Sequence, residues 1–325
     1  MEPPFAVAAH YTLGSGPPPW WAVARAAPRL YSTENPLRRW CPVLRPRSWT
    51  LLVLILGALP ALAQSPAELT AQADALFEEV WFTQYTLSDA LDLQAKLETA
   101  IKLYEAALAQ DAGNVHVLNM LSRCHYTLAD IFLPEKDKAK FHEKGQEYGE
   151  RSMKLQSDPE LVAKWTSSDS FLAAVRDLTD IEALFWTYSN WARKVELGGV
   201  VGLVAAALRG DDKKLMAIME RCLELDRGYI AGGPLRALAG YWAEHPFSKD
   251  PEKVRVLLEE AIATYPDYLE NRLFYVEYYL IRAERWGEAR EELQKVIDAP
   301  IGVDALENGY AKIRALDLLG QVEGE

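Results

Sequence analysis

The sequence is short of cysteine, of basic charge and of every compact catalytic signature. Three cysteines in 325 residues are too few for a disulfide-stapled scaffold. The 35 basic and 47 acidic residues give a net charge of −12, the wrong sign for a face that binds nucleic-acid phosphates. No apolar run reaches the length of about 20 residues that a spanning helix needs. Gly-x-Ser-x-Gly, phosphate-loop, Gly-x-Gly-x-x-Gly and His-Glu-x-x-His patterns are all missing. What is present is apolar material: half of the residues are hydrophobic, which argues against disorder and supplies a core.

Those averages join two unlike pieces. Residues 1–63 hold ten of the 18 prolines and four of the ten tryptophans, with six Arg, no Lys and two Glu. Their net charge is +4, which leaves −16 on the other 262 residues. Within the first piece, residues 45–63 have the order of a secretory signal peptide. Arg45 and Arg47 form a basic start, Leu51–Leu59 an apolar centre, and Ala61-Leu62-Ala63 a small-residue cleavage site. The expectation is a periplasmic protein beginning at Gln64. It is not a lipoprotein, because no cysteine follows the apolar centre. Residues 1–44, Pro- and Trp-rich without helical or strand period, read as upstream translation ahead of a true start near Val43 or Leu44.

From Ala67 onward the pattern predicts one all-α domain over 64–325. Prolines are sparse and sit at boundaries, and Asp158-Pro159 and Asp250-Pro251 read as a helix cap followed by proline in the first turn. One motif recurs four times: a small or apolar residue, a bulky one four later, a small or apolar one three after that, then a turn. Its copies are Ala100/Tyr104/Ala107, Leu215/Met219/Cys222, Val254/Leu258/Ala261 and Ala289/Leu293/Val296. This is the pattern of the second helix of a tetratricopeptide unit, here cryptic and degenerate. Residues 161–210 break the period. There Leu197–Leu208 runs twelve residues without a charge and predicts a buried central helix, bent at Gly198-Gly199 and Gly202. The expected architecture is a helical hairpin array around that helix and a cavity.

Few residues propose chemistry. His116 and His125, nine apart, fall on opposite helix faces at 100° per residue, so they share no metal. Cys124 and Cys222 are the remaining thiols, and Cys222 at a small-residue position reads as buried and free. No cofactor or metal is expected. Aromatic residues carry more information. Trp186, Asn190 and Lys194 lie at i, i+4 and i+8, placing an indole, an amide and an ammonium on one helical stripe beside Trp191, and Tyr241 follows the Gly232-Gly233-Pro234 turn. Two readings stand: core packing, or a cavity lined by rings with a few polar heads.

Four segments, in order, resemble a known family. They are Ala183-Leu-Phe-Trp-Thr-Tyr-Ser-Asn-Trp-Ala-Arg-Lys194, Met219-Glu-Arg-Cys-Leu-Glu-Leu-Asp-Arg-Gly-Tyr229, Gly232-Gly-Pro-Leu-Arg-Ala-Leu-Ala-Gly-Tyr-Trp242, and the run from Ala261 to Tyr279. Together they resemble the T component of tripartite ATP-independent periplasmic (TRAP) transporters, the TatT family, over about residues 70–300. The resemblance implies an all-helical protein with cryptic tetratricopeptide units around a cavity or pore. It implies assembly into a homo-oligomer and docking to the periplasmic solute-binding protein of a TRAP system. It also implies a hydrophobic or organic-acid solute in the pore, and no catalytic residues. Many members are lipoproteins, and this chain lacks their lipid-attachment motif. On the matching positions, Trp186, Asn190, Trp191 and Tyr241 are carried over as cavity residues, with Lys194 added from the stripe. The alternatives are a general envelope scaffold without a small ligand, and an enzyme whose site has no sequence signature.

Overall fold

The computed structural model describes residues 64–324, and every described element is helical. The expected upstream segment, signal peptide and cleavage site lie outside the described residues. Helix α1 (Pro66–Trp81) begins at a reciprocal cap: the Ser65 hydroxyl accepts from the Glu68 amide while the Glu68 carboxylate accepts from the Ser65 amide. It pairs with α2 (Ala90–Gln110), and α3 (Val115–Thr127) pairs with α4 (Glu135–Leu155). The short α5 (Pro159–Val162) and α6 (Ser168–Asp177) lead to α7 (Ile181–Leu197), followed by α8 (Gly199–Arg209) and α9 (Asp211–Leu225). Then α10 (Tyr229–Glu244) pairs with α11 (Pro251–Thr264). Finally α12 (Glu270–Tyr275) runs through a π-helical turn towards α13 (Trp286–Asp298) and α14 (Ala305–Val322). The Asp158 and Asp250 side chains cap α5 and α11, each with proline in the first turn, as the sequence predicts.

All twelve residues of the four recurring triads are buried, on α2, α9, α11 and α13. They form the seams along which neighbouring helices pack. The chain then curls so that its last helix meets the connection after its first. A Cβ on Gly309 of α14 would come within 2.7 Å of the Tyr85 backbone, and the Tyr85 and Tyr310 rings stand edge to face at 5.4 Å. Leu306 of α14 is buried in the core that α1, α2 and α3 share.

The buried central helix is α7, not the uncharged run after it. Ala183 through Trp191 are buried without interruption. Glycines let α4 approach: side chains on Gly145 and Gly149 would collide with Asn190 and Thr187 of α7. The run expected to be buried, Leu197–Leu208, lies on the surface, with Val200, Val201 and Leu208 75–80% exposed and Ala206 alone buried in α8. Lack of charge there reflects small and aliphatic side chains, which a surface tolerates. Gly198 and Gly202 do not serve a contact between helices. Added Cβ atoms would meet Gly202 Cα at 2.9 Å and the Val195 carbonyl at 2.7 Å, so they relieve crowding where α7 passes into α8.

Candidate functional site: a cavity beside the central helix

One side of α7 borders a cavity. Phe185, Trp186, Tyr188, Ser189, Ala192, Arg193 and Glu196 line one side, and the start of α10, Tyr268, Glu270, Phe274, Tyr278 and Glu307 the other. The centre of a water molecule can move through about 60 Å³ of it, room for a small organic group. A smaller space of about 10 Å³ adjoins it and shares Tyr126, Glu270 and Glu307 with it. A third, of about 50 Å³, shares Tyr188, Ala192 and Glu196 and is also lined by Tyr241, Glu244 and His245.

The wall at α10 is a strained turn held by one arginine. Ile230, Ala231 and Gly232 are left-handed in succession, with φ of 46°, 49° and 85°. For each of the two non-glycine residues that conformation costs roughly 1–2 kcal/mol. The carbonyls so displayed are captured: Arg236 donates to Ile230 O at 3.0 Å and to Ala231 O at 2.9 Å. The same guanidinium donates to Asn271 Oδ1 at 2.7 Å, pairs with Glu270 at 3.3 Å, and lies over the Tyr268 ring. Arg236 is 4% exposed, so these contacts are made without competition from water.

Charge is dense for an interior. The two adjoining spaces are lined by four carboxylates, Asp130, Glu196, Glu270 and Glu307, and three guanidiniums, Arg193, Arg236 and Arg314. Arg193 bridges Asp130 at 2.8 Å and Glu196 at 3.0 Å, and Arg314 pairs with Glu277. Burial alone would raise the Asp130 carboxyl, but Arg193, with Lys138 and Arg314, more than offsets this and holds it well below the usual range. Glu307 goes the other way. Burial pushes it up to about 7, and Arg236 and Arg123 compensate only in part. Its Oε2 is shut off from solvent and has no hydrogen-bond partner, so Glu307 is the cavity carboxyl with an open acceptor.

Of the five residues expected at the site, Trp186 lines the main cavity, where its Nε1 donates to Tyr229 Oη at 3.1 Å. Tyr241 lines the neighbouring space. The other three lie outside the cavity lining. Asn190 is fully buried and spent on the scaffold: its amide donates to Ser122 O and Trp186 O at 2.9 Å each, and its Oδ1 faces His142 Nδ1 at 3.2 Å. Trp191 packs edge-on against Phe171 of α6. Lys194 reaches towards Glu143 on α4, 3.9 Å away. The predicted stripe divides along its length: Trp186 borders the cavity with 185/189/192/196, while Asn190 and Lys194 turn towards α4. The sequence reading missed Arg193, Glu196, Arg236, Glu270 and Glu307. Each looks like an ordinary charge on an amphipathic helix, and no local pattern marks it.

His116 and His125 diverge as expected. His116 bonds Asp74 at 2.9 Å near the surface, whereas His125 is buried between the Phe141 and Tyr148 rings. Cys124 and Cys222 are free and buried. Among the described residues, no helix is long and apolar enough to cross a membrane.

These features define a class: an all-helical array with a small cavity lined by aromatic rings and paired charges. Its particular place within that class comes from comparison. The model of the TRAP transporter T-component family matches residues 89–324, and the chain belongs to that family. It is therefore an accessory component of a tripartite ATP-independent periplasmic transport system, associated with the other components of that system. A search among curated proteins found no match.

Proposed function

We propose that this T component docks the periplasmic solute-binding protein of its TRAP system and offers the cavity beside α7 to the transported solute. The observation that carries this is the ring-lined space with an unpartnered acceptor at Glu307, in a chain of a solute-uptake family. A space meant only as core would be filled, since each unfilled methyl-sized void costs about 1 kcal/mol. The protein is exported by the signal at 45–63, cleaved after Ala63, and works in the periplasm as a soluble chain starting at Gln64. Residues 1–44 are absent from the working protein. Homo-oligomers form from this mature chain.

The test is affinity capture from periplasm, with mass spectrometry of both proteins and small molecules. The expected catch is a TRAP solute-binding protein together with a small organic solute. Recovery should fall as salt rises, because a chain of net charge −16 over residues 64–325 meets a positive patch. Capture of envelope proteins unrelated to solute uptake, with no small molecule, would favour the general scaffold. N-terminal sequencing of the exported chain checks its start, and a chain retaining residues 1–44 refutes that part.

A further inference from the structure

Helix α8 borders the cavity system but is weakly held. Leu203, Ala206 and Ala207 on its inner side line the third space, which shares Tyr188, Ala192 and Glu196 with the main cavity. Yet Ala206 is its one buried residue, while Val200, Val201 and Leu208 stand 75–80% exposed. It packs on α7 and α9, the helices to which it is joined. No side chain caps its N-terminus, and its one ion pair links Arg209 to Asp211, two residues on. Among the described residues, no other side-chain hydrogen bond or ion pair involves α8. Its two neighbours are anchored instead: Ala183 through Trp191 of α7 are buried without interruption, as are Leu215, Met219 and Cys222 of α9. A helix with so few buried contacts opens at lower cost than the helices on either side of it.

Both ends of α8 are glycine joints. Gly199 and Gly210 are left-handed, with φ of 60° and 77°. A Cβ on Gly199 would meet nothing within 4 Å, and one on Gly210 would meet only Ser168 Oγ at 3.8 Å. Backbone conformation, not lack of space, therefore calls for glycine at these two positions, and a residue free of Cβ sterics absorbs the change in φ and ψ that a hinge needs.

We propose that α8 is a lid: it swings as a unit on Gly199 and Gly210 while α7 and α9 stay in place, and the swing admits a ligand to the cavity through the third space. The purpose of the lid rests on reading the cavity as the solute site. Its motion does not, and is measured without solute.

Two single substitutions read the swing. Ala206→Cys places a thiol on the inner side of α8, at a position 4% exposed, and Val195→Cys places one on α7 in the lining of the same space. Cys222 of α9, fully buried, is the reference within each molecule. With iodoacetamide at pH 8 and no denaturant, peptide mapping should find positions 206 and 195 alkylated at least about tenfold faster than Cys222 and within about threefold of each other, because one opening exposes both. Protection of position 206 equal to that of Cys222 overturns the lid. Fast reaction at 206 with protection at 195 means that α8 frays without uncovering the space, and the reverse means a static opening; either overturns the proposal. Should a variant fail to fold, hydrogen exchange of the wild type decides. The amides of residues 203–209 should exchange together, at least about tenfold faster than those of 184–195 and 215–225, and equal protection overturns the lid. Capture from periplasm is independent of these rates: a catch without solute counts against the cavity as solute site and leaves the motion of α8 standing.

Discussion

His125 and His142 should make this protein acid-sensitive in a way that one substitution isolates. His125 is buried, its ring stacks on Tyr148 at 5.5 Å, and neither ring nitrogen has a partner. Burial, reinforced by Lys144 and His142, lowers it from 6.5 to about 4, and burial likewise lowers His142 to about 4. Between pH 6.5 and 4 the unfolded chain therefore binds two protons that the folded chain refuses. Their stabilising effect is complete above pH 6.5 and is lost as the pH falls, at about 1.4 kcal/mol per pH unit for each histidine. Glu307 opposes them. Raised from 4.5 to about 7, it holds a proton in the folded state that the unfolded state releases, so its contribution grows as the pH falls from 7 to 4.5. His125→Phe keeps the aromatic packing and removes one titration. Urea unfolding followed by circular dichroism should find variant and wild type within about 1 kcal/mol at pH 7.5, where neither His125 state is protonated. At pH 5 the variant should be ahead by about 2 kcal/mol more than at pH 7.5. Glu307→Gln should steepen the acid loss. Parallel curves for His125→Phe and wild type from pH 7.5 to 5 would refute the reasoning.

Three further outcomes follow from packing. Gly309→Ala drives a methyl against the Tyr85 backbone, which cannot rotate aside, so stability should fall by about 1–3 kcal/mol, read as a lowered Tm. Arg236→Lys keeps the charge but loses the fork that holds Ile230 O, Ala231 O and Asn271 together. Amide exchange over residues 229–236 should accelerate, and unchanged protection would show that the left-handed turn stands without it. Cys124 and Cys222 should resist a thiol reagent in the native protein and both react in denaturant, because burial pushes each thiol up and excludes the reagent. A reading of no free thiol in denaturant would mean that they are bridged.

Helix content and the buried seams were open to a reader of the sequence alone. The triads Ala100/Tyr104/Ala107 through Ala289/Leu293/Val296 repeat at helical spacing, and periodicity is a local property that burial then honours. The caps at Asp158 and Asp250 were local as well. The four ordered segments that resemble the TRAP T component were equally visible, and the family match covers them. Which face of α7 meets the cavity was decided elsewhere. Asn190 and Lys194 share a helical stripe with Trp186, yet glycines 145 and 149 let α4 cover Thr187 and Asn190, so that only Trp186 of that stripe borders the cavity. Likewise Leu197–Leu208 has a buried composition without a neighbour to bury it. Glu270, Glu307 and Arg236 come together from helices far apart in sequence, and only the return of α14 onto the Tyr85 connection makes them one site. Spacing along one helix fixes angles about its own axis, whereas the cavity depends on where other helices stand around it, and no single segment encodes that.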